Sequence, residues 1–163
     1  MTIATLRNIS IAFFLIMHQP AASALPTIGW VEAVHILPER FNIEAKTDTG
    51  ADHSSIDVVE WKSYLHNDQE WIRFKVLNNN GDLQVFEREL SRYAMIKRKR
   101  AEPVKRPVIE MWLCIGKQKF LAPVNLSKRK DFKYRMLIGR SLLSGNYLVD
   151  SAAKRTLSPE CAL

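Results

Sequence analysis

Short runs in which hydrophobic and polar residues alternate recur along most of the chain. In Asn42–Thr47, the side chains of Ile43, Ala45 and Thr47 would face one side of an extended strand and the polar side chains the other. Comparable runs occupy residues 30–37, 71–76, 83–88, 108–115 and 119–125. Each run is short and is bounded by turn-forming residues, so the pattern predicts a series of β-strands.

Turn-forming residues join two pairs of these runs. The segment Asn78–Asp82 carries Asn and Gly, which tolerate positive φ, so the runs on either side of it are predicted to form a hairpin. Gly116–Gln118 separates two later runs in the same way and predicts a second hairpin.

The remaining segments complete a mainly β fold. Met136–Ile138 and Tyr147–Val149 are short and apolar and are expected to be buried. Helical turns are expected only in Asp57–Leu65 and Ser141–Ser144. Several short strands with regular turns predict a closed barrel or a sandwich with one or two short helices.

Length and composition fit one globular domain of this kind. The chain has 163 residues, of which 47% are hydrophobic and 25% are charged, enough for a buried core. Its two cysteines exclude a disulfide-scaffold miniprotein and a four-cysteine zinc site. No hydrophobic run reaches the roughly 20 residues that a membrane-spanning helix needs.

The first 24 residues differ from the rest of the chain. Arg7 is their only charged residue, Ile9–Met17 is apolar, and Ala22–Ala24 forms a small-x-small cleavage site. This order is typical of a secretory signal peptide (residues 1–24), so we expect cleavage after Ala24 and a mature domain of residues 25–163 that is periplasmic or secreted. An uncleaved membrane anchor and a buried N-terminal helix are the alternatives.

The tripeptide Asp48-Thr49-Gly50 directly follows the predicted strand Asn42–Thr47. A carboxylate at a strand end, beside a glycine that allows a sharp turn, is presented to a cleft and not to a sheet face. Such a position suits a catalytic carboxylate, but on this tripeptide alone the favoured interpretation is an Asx turn that only terminates the strand.

A second motif, Leu137-Ile138-Gly139-Arg140, places Gly and Arg after an apolar pair. Together with Ala45–Asp52, it resembles the paired signature of the retropepsin-like aspartic proteases. The likeness is closer to one branch, the family described as ATP-dependent zinc proteases and now regarded as retropepsin-like, and it extends over about residues 28–155. It implies a closed retropepsin-like β-barrel, in which the Leu-Ile-Gly segment passes beneath the loop that holds the catalytic carboxylate.

The resemblance also implies a site and an activity. It assigns the catalytic loop to Asp48, Thr49 and Gly50, and the support of that loop to Ala51, Asp52, Gly139 and Arg140. An ion pair between Asp52 and Arg140 is expected, and Thr49 would bond across a two-fold axis. Because the chain has one Asp-Thr-Gly and the chemistry needs two carboxylates, the second would come from Asp48 of a second copy in a homodimer. The implied activity is hydrolysis of a peptide or protein substrate, with no cofactor and no metal.

Two other functions stay open. A non-catalytic module that binds peptides or the cell envelope would keep the fold without the activity. A zinc-dependent peptidase would need a cluster of ligands, but the four histidines form no H-E-x-x-H pair and no tight group with cysteine.

Charge and cysteines add two expectations. Lys and Arg number 24 against 17 Asp and Glu, for a net charge of +7. The basic runs at residues 97–100, 105–106 and 128–130 fit an anionic surface such as phospholipid head groups, or are solvated loops, and nucleic acid is not expected outside the cytoplasm. Cys114 and Cys161 could form a disulfide in an oxidising compartment, or could stay apart.

Overall fold

The computed structural model describes residues 24–98, 101–128 and 132–162. Residues 1–23 of the predicted signal peptide, and residues 99–100 and 129–130 of two basic runs, lie outside these ranges. The strands of the described residues are β1 (Thr27–Gly29), β2 (Val31–Leu37), β3 (Phe41–Thr47), β4 (Ser54–Asp57), β5 (Glu60–His66), β6 (Gln69–Leu77), β7 (Leu83–Arg98), β8 (Ala101–Ile115), β9 (Gln118–Ser127), β10 (Met136–Ile138) and β11 (Leu148–Asp150), and the helix is α1 (Arg140–Leu143).

Six strands close into a mixed barrel, which confirms the predicted fold class. Their order is β2-β3-β10-β4-β9-β8, and pairing of β8 with β2 closes the barrel. The β3–β10 and β4–β9 pairs are parallel, and the other barrel pairs are antiparallel. The predicted alternation in β3 is confirmed, because Ile43, Ala45 and Thr47 are buried while the residues between them are more exposed.

The core is aliphatic and lies inside the barrel and under the sheet attached to it. Its fully buried side chains include Val34, Ile36, Ile56, Ile72, Phe74, Ile109, Leu113, Val124 and Ile138. Phe74 stacks on Phe86 with ring centroids 5.4 Å apart. The Met136–Ile138 segment is buried, as predicted.

An additional antiparallel sheet of β5, β6 and β7 extends the barrel sheet beyond β8. The expectation of a helical turn in Asp57–Leu65 is wrong, because β4 ends at Asp57 and β5 begins at Glu60. Strand β5 pairs with β6 along its whole length, from Glu60 opposite Lys75 to His66 opposite Gln69. The neighbouring strand therefore supplies the backbone hydrogen bonds that a helix would have formed within the segment.

Strands β7 and β8 are much longer than the alternating runs predicted. Beyond its pairing with β9, β8 continues with β7 as a two-stranded ribbon. The basic pair Lys105-Arg106 lies in this ribbon, so the expectation of a solvated loop is wrong for these two residues.

Both predicted hairpin turns are present. Asn78 Oδ1 accepts hydrogen bonds from the backbone N–H groups of Asn80 and Asp82, each at 2.9 Å. Gly81 and Gly116 have φ of +93° and +58°, in the left-handed region that favours glycine. The helical turn predicted at Ser141–Ser144 is α1, which begins one residue earlier.

The C-terminal residues are attached to β1 and β8. β11 pairs with β1 in a separate two-stranded parallel sheet. Residues 151–162 then continue without regular secondary structure, and a disulfide between Cys114 and Cys161 attaches them to β8. This disulfide was one of two outcomes that the sequence left open.

The predicted burial of Tyr147–Val149 is confirmed only for Tyr147. Leu148 is 57% exposed and Val149 is 36% exposed, because their strand belongs to a sheet of only two strands and not to the barrel. Among the residues that the structure describes, no helix has the length and apolar character needed to cross a membrane.

Candidate active site

The Asp48 loop begins at the end of β3, which lies between β2 and β10 in the barrel. The Thr47 N–H donates to Trp30 O at 3.0 Å, and the Asp48 N–H donates to Ile138 O at 2.9 Å. The backbone is therefore held on both sides up to Asp48 itself. The carboxyl group is carried by the first residue of the loop.

The side chain of Asp48 forms a tight turn with the residues that follow it. Its Oδ1 accepts the N–H of Gly50 at 3.0 Å, and its carbonyl oxygen accepts the N–H of Ala51 at 3.2 Å. A Cβ atom on Gly50 would lie 3.2 Å from that Oδ1, closer than ordinary van der Waals contact. The Asx turn expected as a structural alternative is thus present, and it orients the carboxyl group that the resemblance assigns to catalysis.

Arg140 ties the second motif to this loop. Its guanidinium Nη1 donates to Thr49 O at 2.8 Å, and its backbone N–H donates to Ala51 O at 2.9 Å. The expected ion pair between Arg140 and Asp52 is present. Their side chains are 51% and 75% exposed, so the pair is a surface contact worth about 0–1 kcal/mol. The loop is therefore supported mainly by the hydrogen bonds to its carbonyl groups.

Gly139 allows the two motifs to approach closely. A Cβ atom at this position would lie 2.5 Å from the backbone carbon of His53 and 2.7 Å from its oxygen. The Gly139 N–H donates to Ser54 Oγ at 3.1 Å. Only glycine fits against this backbone, and the contact places the Leu137–Gly139 segment directly against the loop residues that follow Asp48.

Asp48 opens onto a cavity of about 260 Å³. The lining residues are Trp30, Lys46, Asp48, Phe132, Lys133, Tyr134 and Leu137. The rings of Trp30 and Tyr134 meet edge to face with centroids 5.8 Å apart, and Lys133 Nζ lies 5.6 Å from the Tyr134 centroid. The cavity therefore combines one carboxyl group, two lysines and an aromatic wall.

The sequence predictions did not include this wall. Trp30 precedes β2, and Phe132–Tyr134 lies just before β10. Both segments reach Asp48 because their adjoining strands flank β3 in the barrel. The order aromatic-lysine-aromatic at residues 132–134, immediately before the second motif, is the signal that could have indicated a binding surface.

Among the described residues, His53 lies in the loop that follows Asp48, whereas His35, His66 and the cysteines lie outside that loop. His35 is on β2, where burial and then the charge of Arg40 lower its pKa. His66 ends β5, and both cysteines are in the disulfide. Within residues 24–98, 101–128 and 132–162, no group of three or more His, Cys, Asp or Glu side chains is arranged to hold a metal ion.

Comparison with known proteins finds relatives over most of the chain. Residues 27–160 match the family described as RimB-like, retropepsin-like aspartic endopeptidase RimB. Probable alpha-L-glutamate ligases of Shewanella pealeana and Shewanella halifaxensis are each 30% identical over 111 residues, which is 66% of this chain and 24% of theirs. The chain therefore spans about a quarter of the length of these curated relatives.

A solved structure agrees with the fold. The crystal structure of a protein of unknown function from Legionella pneumophila has a TM-score of 0.71 and 30% sequence identity to this chain. The match covers 80% of this chain and 97% of the Legionella chain.

Proposed function

The chain belongs to the RimB-like family of retropepsin-like aspartic endopeptidases, and we propose that it hydrolyses peptide bonds with a water activated by two Asp48 carboxyl groups, one from each of two copies. The observation that carries the proposal is the Asp48 turn. Its carboxyl group is oriented by the Gly50 N–H and opens onto a cavity, while Arg140 holds the carbonyl groups on the far side of the loop.

The chemistry requires the two carboxyl groups to share one proton, since two carboxylates so close together do not both ionise. The ionised Asp48 takes a proton from water, whose oxygen attacks the peptide carbonyl carbon. The protonated Asp48 of the other copy gives its proton to the carbonyl oxygen. Collapse of this gem-diol intermediate breaks the C–N bond: the first carboxyl group returns its proton to the leaving amine, and the carboxylate of the other copy takes a proton from a gem-diol hydroxyl, so that the pair again holds one proton.

A homodimer is part of this proposal because the chain has a single Asp-Thr-Gly. Thr49 and Gly50 are exposed, which is compatible with a second loop meeting them across a two-fold axis. A monomeric protein would lack the second carboxyl group. In that case a peptide-binding module without catalysis is the better function.

The cavity favours acidic peptides as substrates. Lys46 and Lys133 lie at the same cavity as Asp48, beside the rings of Trp30 and Tyr134. An anionic side chain would be attracted by both ammonium groups and would rest its methylene groups on the rings. The names of the relatives, probable alpha-L-glutamate ligases, support peptides that contain glutamate.

The proposal is tested by Asp48→Asn. Asparagine keeps the shape of the side chain and can still accept the Gly50 N–H, so the fold should persist while peptide hydrolysis is lost. The measurement is cleavage of a peptide library over a range of protein concentrations, with the oligomeric state determined at each concentration. Asp68→Asn, an exposed aspartate in the β5–β6 turn with φ of +59°, is the matched control and should cleave like the wild type.

Three outcomes would contradict the proposal. Equal cleavage by Asp48→Asn would remove this residue from the mechanism. Loss of wild-type cleavage on addition of a metal chelator would favour a zinc-dependent peptidase. Binding without cleavage by a protein shown to be dimeric would favour the non-catalytic peptide- or envelope-binding module.

A further inference from the structure

The carboxyl group of Glu32 lies at a core position of the barrel. Glu32 lies on β2 two residues before Val34 and four before Ile36, so the period of the strand puts the three side chains on one face. All three are fully buried. A carboxyl group in such a position is costly unless hydrogen bonds satisfy its oxygens.

Four donors converge on this carboxyl group. Oε1 accepts the N–H of Gly29 at 2.7 Å, the N–H of Thr156 at 3.0 Å and the hydroxyl of Thr156 at 2.5 Å. Oε2 accepts the N–H of Leu157 at 3.0 Å. Three of the four donors come from residues more than 120 positions away in the chain. Glu32 therefore joins the C-terminal segment to the strand junction at Gly29.

The backbone of the C-terminal segment packs directly against Gly29. A Cβ atom on Gly29 would lie 2.7 Å from Ala153 O and 2.8 Å from the Cα of Lys154. The Trp30 N–H donates to Ala153 O at 2.8 Å. The position of Gly29 and Trp30 is therefore set by the C-terminal segment that Glu32 holds.

The same junction holds the start of the Asp48 loop. The Thr47 hydroxyl donates to Gly29 O at 3.1 Å, and the Thr47 N–H donates to Trp30 O at 3.0 Å. Asp48 is the next residue, and the Trp30 ring forms part of its cavity wall. A continuous series of hydrogen bonds thus runs from Glu32 through the Gly29–Trp30 junction to Thr47.

We propose that Glu32 is a positioning residue for the Asp48 site: by binding residues 156–157 and the Gly29 N–H, it fixes the Trp30 wall and the strand end that presents Asp48. For its effect on catalysis, this inference rests on the proposed peptidase activity. The effect of Glu32 on the local backbone does not depend on that activity. The experiment therefore measures both the catalytic effect and the backbone effect.

The test is Glu32→Gln in the full mature chain. In either orientation the Gln amide nitrogen faces at least one of the four donors, so at least one hydrogen bond is lost. We expect kcat for peptide cleavage to fall about tenfold or more with KM changed less, since displacement of a catalytic group acts mainly on the reacting step. Amide hydrogen exchange should accelerate at Trp30, Thr47 and Asp48, but not at Phe74 or Phe86 in the attached sheet.

Glu44→Gln is the matched control. Glu44 lies on β3 and pairs with Arg155 of the same C-terminal segment, but it lies outside the series of hydrogen bonds that leads to Thr47. Its substitution should leave kcat and the exchange of the three marker amides unchanged. If Glu32→Gln does not fold, Thr156→Val removes one hydroxyl donor from Glu32 and is judged by the same measurements, with smaller changes in the same direction.

The outcomes separate this inference from the proposed function. The positioning role would be overturned if exchange accelerates uniformly in Glu32→Gln. It would also be overturned if the wild type cleaves peptides and Glu32→Gln has the same kcat. If the wild-type dimer does not cleave peptides at all, the proposed function fails and exchange alone decides: acceleration confined to the marker amides supports the role of Glu32, and its absence overturns it.

Discussion

At the residue scale, the side chains around Asp48 bring opposite charges into one small space. Lys46 precedes the loop by two residues, whereas Lys133 comes from the segment before β10. Under the proposed function, the side chain of a substrate meets the two lysines and the Trp30 and Tyr134 rings that line the cavity. Charge complementarity at such a site discriminates between two substrates when the enzyme binds the transition state of one more tightly than that of the other.

Lys133→Ala tests this selection. We expect kcat/KM for a glutamate-rich peptide to fall about tenfold, because a charge-assisted contact is lost, and kcat/KM for a neutral peptide of equal length to change little. The comparison is made with Lys62→Ala, which removes an exposed lysine of β5 that does not line the cavity. Equal losses for both peptides would show that Lys133 has no part in selecting charge.

At the element scale, two segments from distant parts of the chain form one unit. The turn after β3 and the segment from β10 to α1 are joined by hydrogen bonds from Gly139, Arg140 and Ser141 to residues 49–54. The parallel pairing of β3 with β10 sets the register, with Ile138 opposite Thr47. The loop geometry therefore depends on the second motif as much as on Asp-Thr-Gly itself.

Gly139→Ala should disturb this unit. The new methyl group would meet the His53 backbone at less than 3 Å, so one segment must shift, and we expect a loss of stability of about 1–3 kcal/mol together with loss of peptide cleavage. Gly81→Ala is the control, since its φ of +93° makes alanine strained there while leaving open space around it. That variant should lose stability, measured by urea unfolding, and keep its activity.

Tyr147 connects the last strand to the β8–β9 turn. Its hydroxyl donates to Ile115 O at 3.0 Å. Burial, and then the charge of Glu32, raise the pKa of Tyr147 to about 12 from the ordinary 10.0. Below pH 10 the phenol is neutral in both folded and unfolded chains. Between about 10 and 12 it ionises first in the unfolded chain, so stability should fall as pH rises.

Tyr147→Phe tests this pH dependence. Tyr64 and Tyr93 also have raised pKa values, so the comparison with the variant isolates the contribution of Tyr147. Phenylalanine cannot form the hydrogen bond to Ile115 O, so the free energy of unfolding of the variant near neutral pH should be about 1 kcal/mol lower than that of the wild type. From pH 10 upward, urea unfolding should show a shallower decline for the variant than for the wild type. Parallel curves would contradict the assignment.

At the scale of the whole molecule, the C-terminal segment is joined to two strands of the closed barrel. Backbone hydrogen bonds join it to Trp30 and to Val31 of β2, Thr156 and Leu157 donate to the Glu32 carboxyl group, and the disulfide joins it to β8. Disulfides persist in oxidising compartments, which supports the proposal that the protein is exported.

Mass spectrometry of the protein from its native host tests export and the disulfide together. We expect an N-terminus at Leu25 and a mass lower by two hydrogens than that of the reduced chain, because cleavage after Ala24 and oxidation belong to the same compartment. The control is a chain starting at Leu25 that is made in a reducing cytoplasm. Soluble protein from the host that keeps Met1 would overturn both expectations.

Much of the fold was predictable because it depends on local pattern. The alternation in Asn42–Thr47 and the turn residues of the two hairpins specify strand faces and turns within a few residues of each other. The same holds for the position of Asp48 at a strand end. The expected contact between Asp52 and Arg140 came from the resemblance of two motifs, not from pattern alone.

The segment after β4 marks where local pattern fails. The residues of Asp57–Leu65 allowed a helical turn, and β6 decided for a strand by pairing with Glu60–His66. Likewise, nothing near Leu148 in the sequence indicates that its strand would lie in a sheet of only two strands.

The sequence by itself determined most of the strands, though not β1, β4 or β5, together with both hairpin turns and the aspartate at the end of β3, because periodicity and backbone preference act between neighbours. Only the tertiary structure decided which wall faces Asp48, which donors satisfy Glu32 and whether Cys114 meets Cys161. Several of these contacts join residues far apart in the chain, by 47 positions for Cys114 and Cys161 and by 125 for Glu32 and Leu157. They form only when closure of the barrel brings the ends of distant strands together, and no local pattern carries that information.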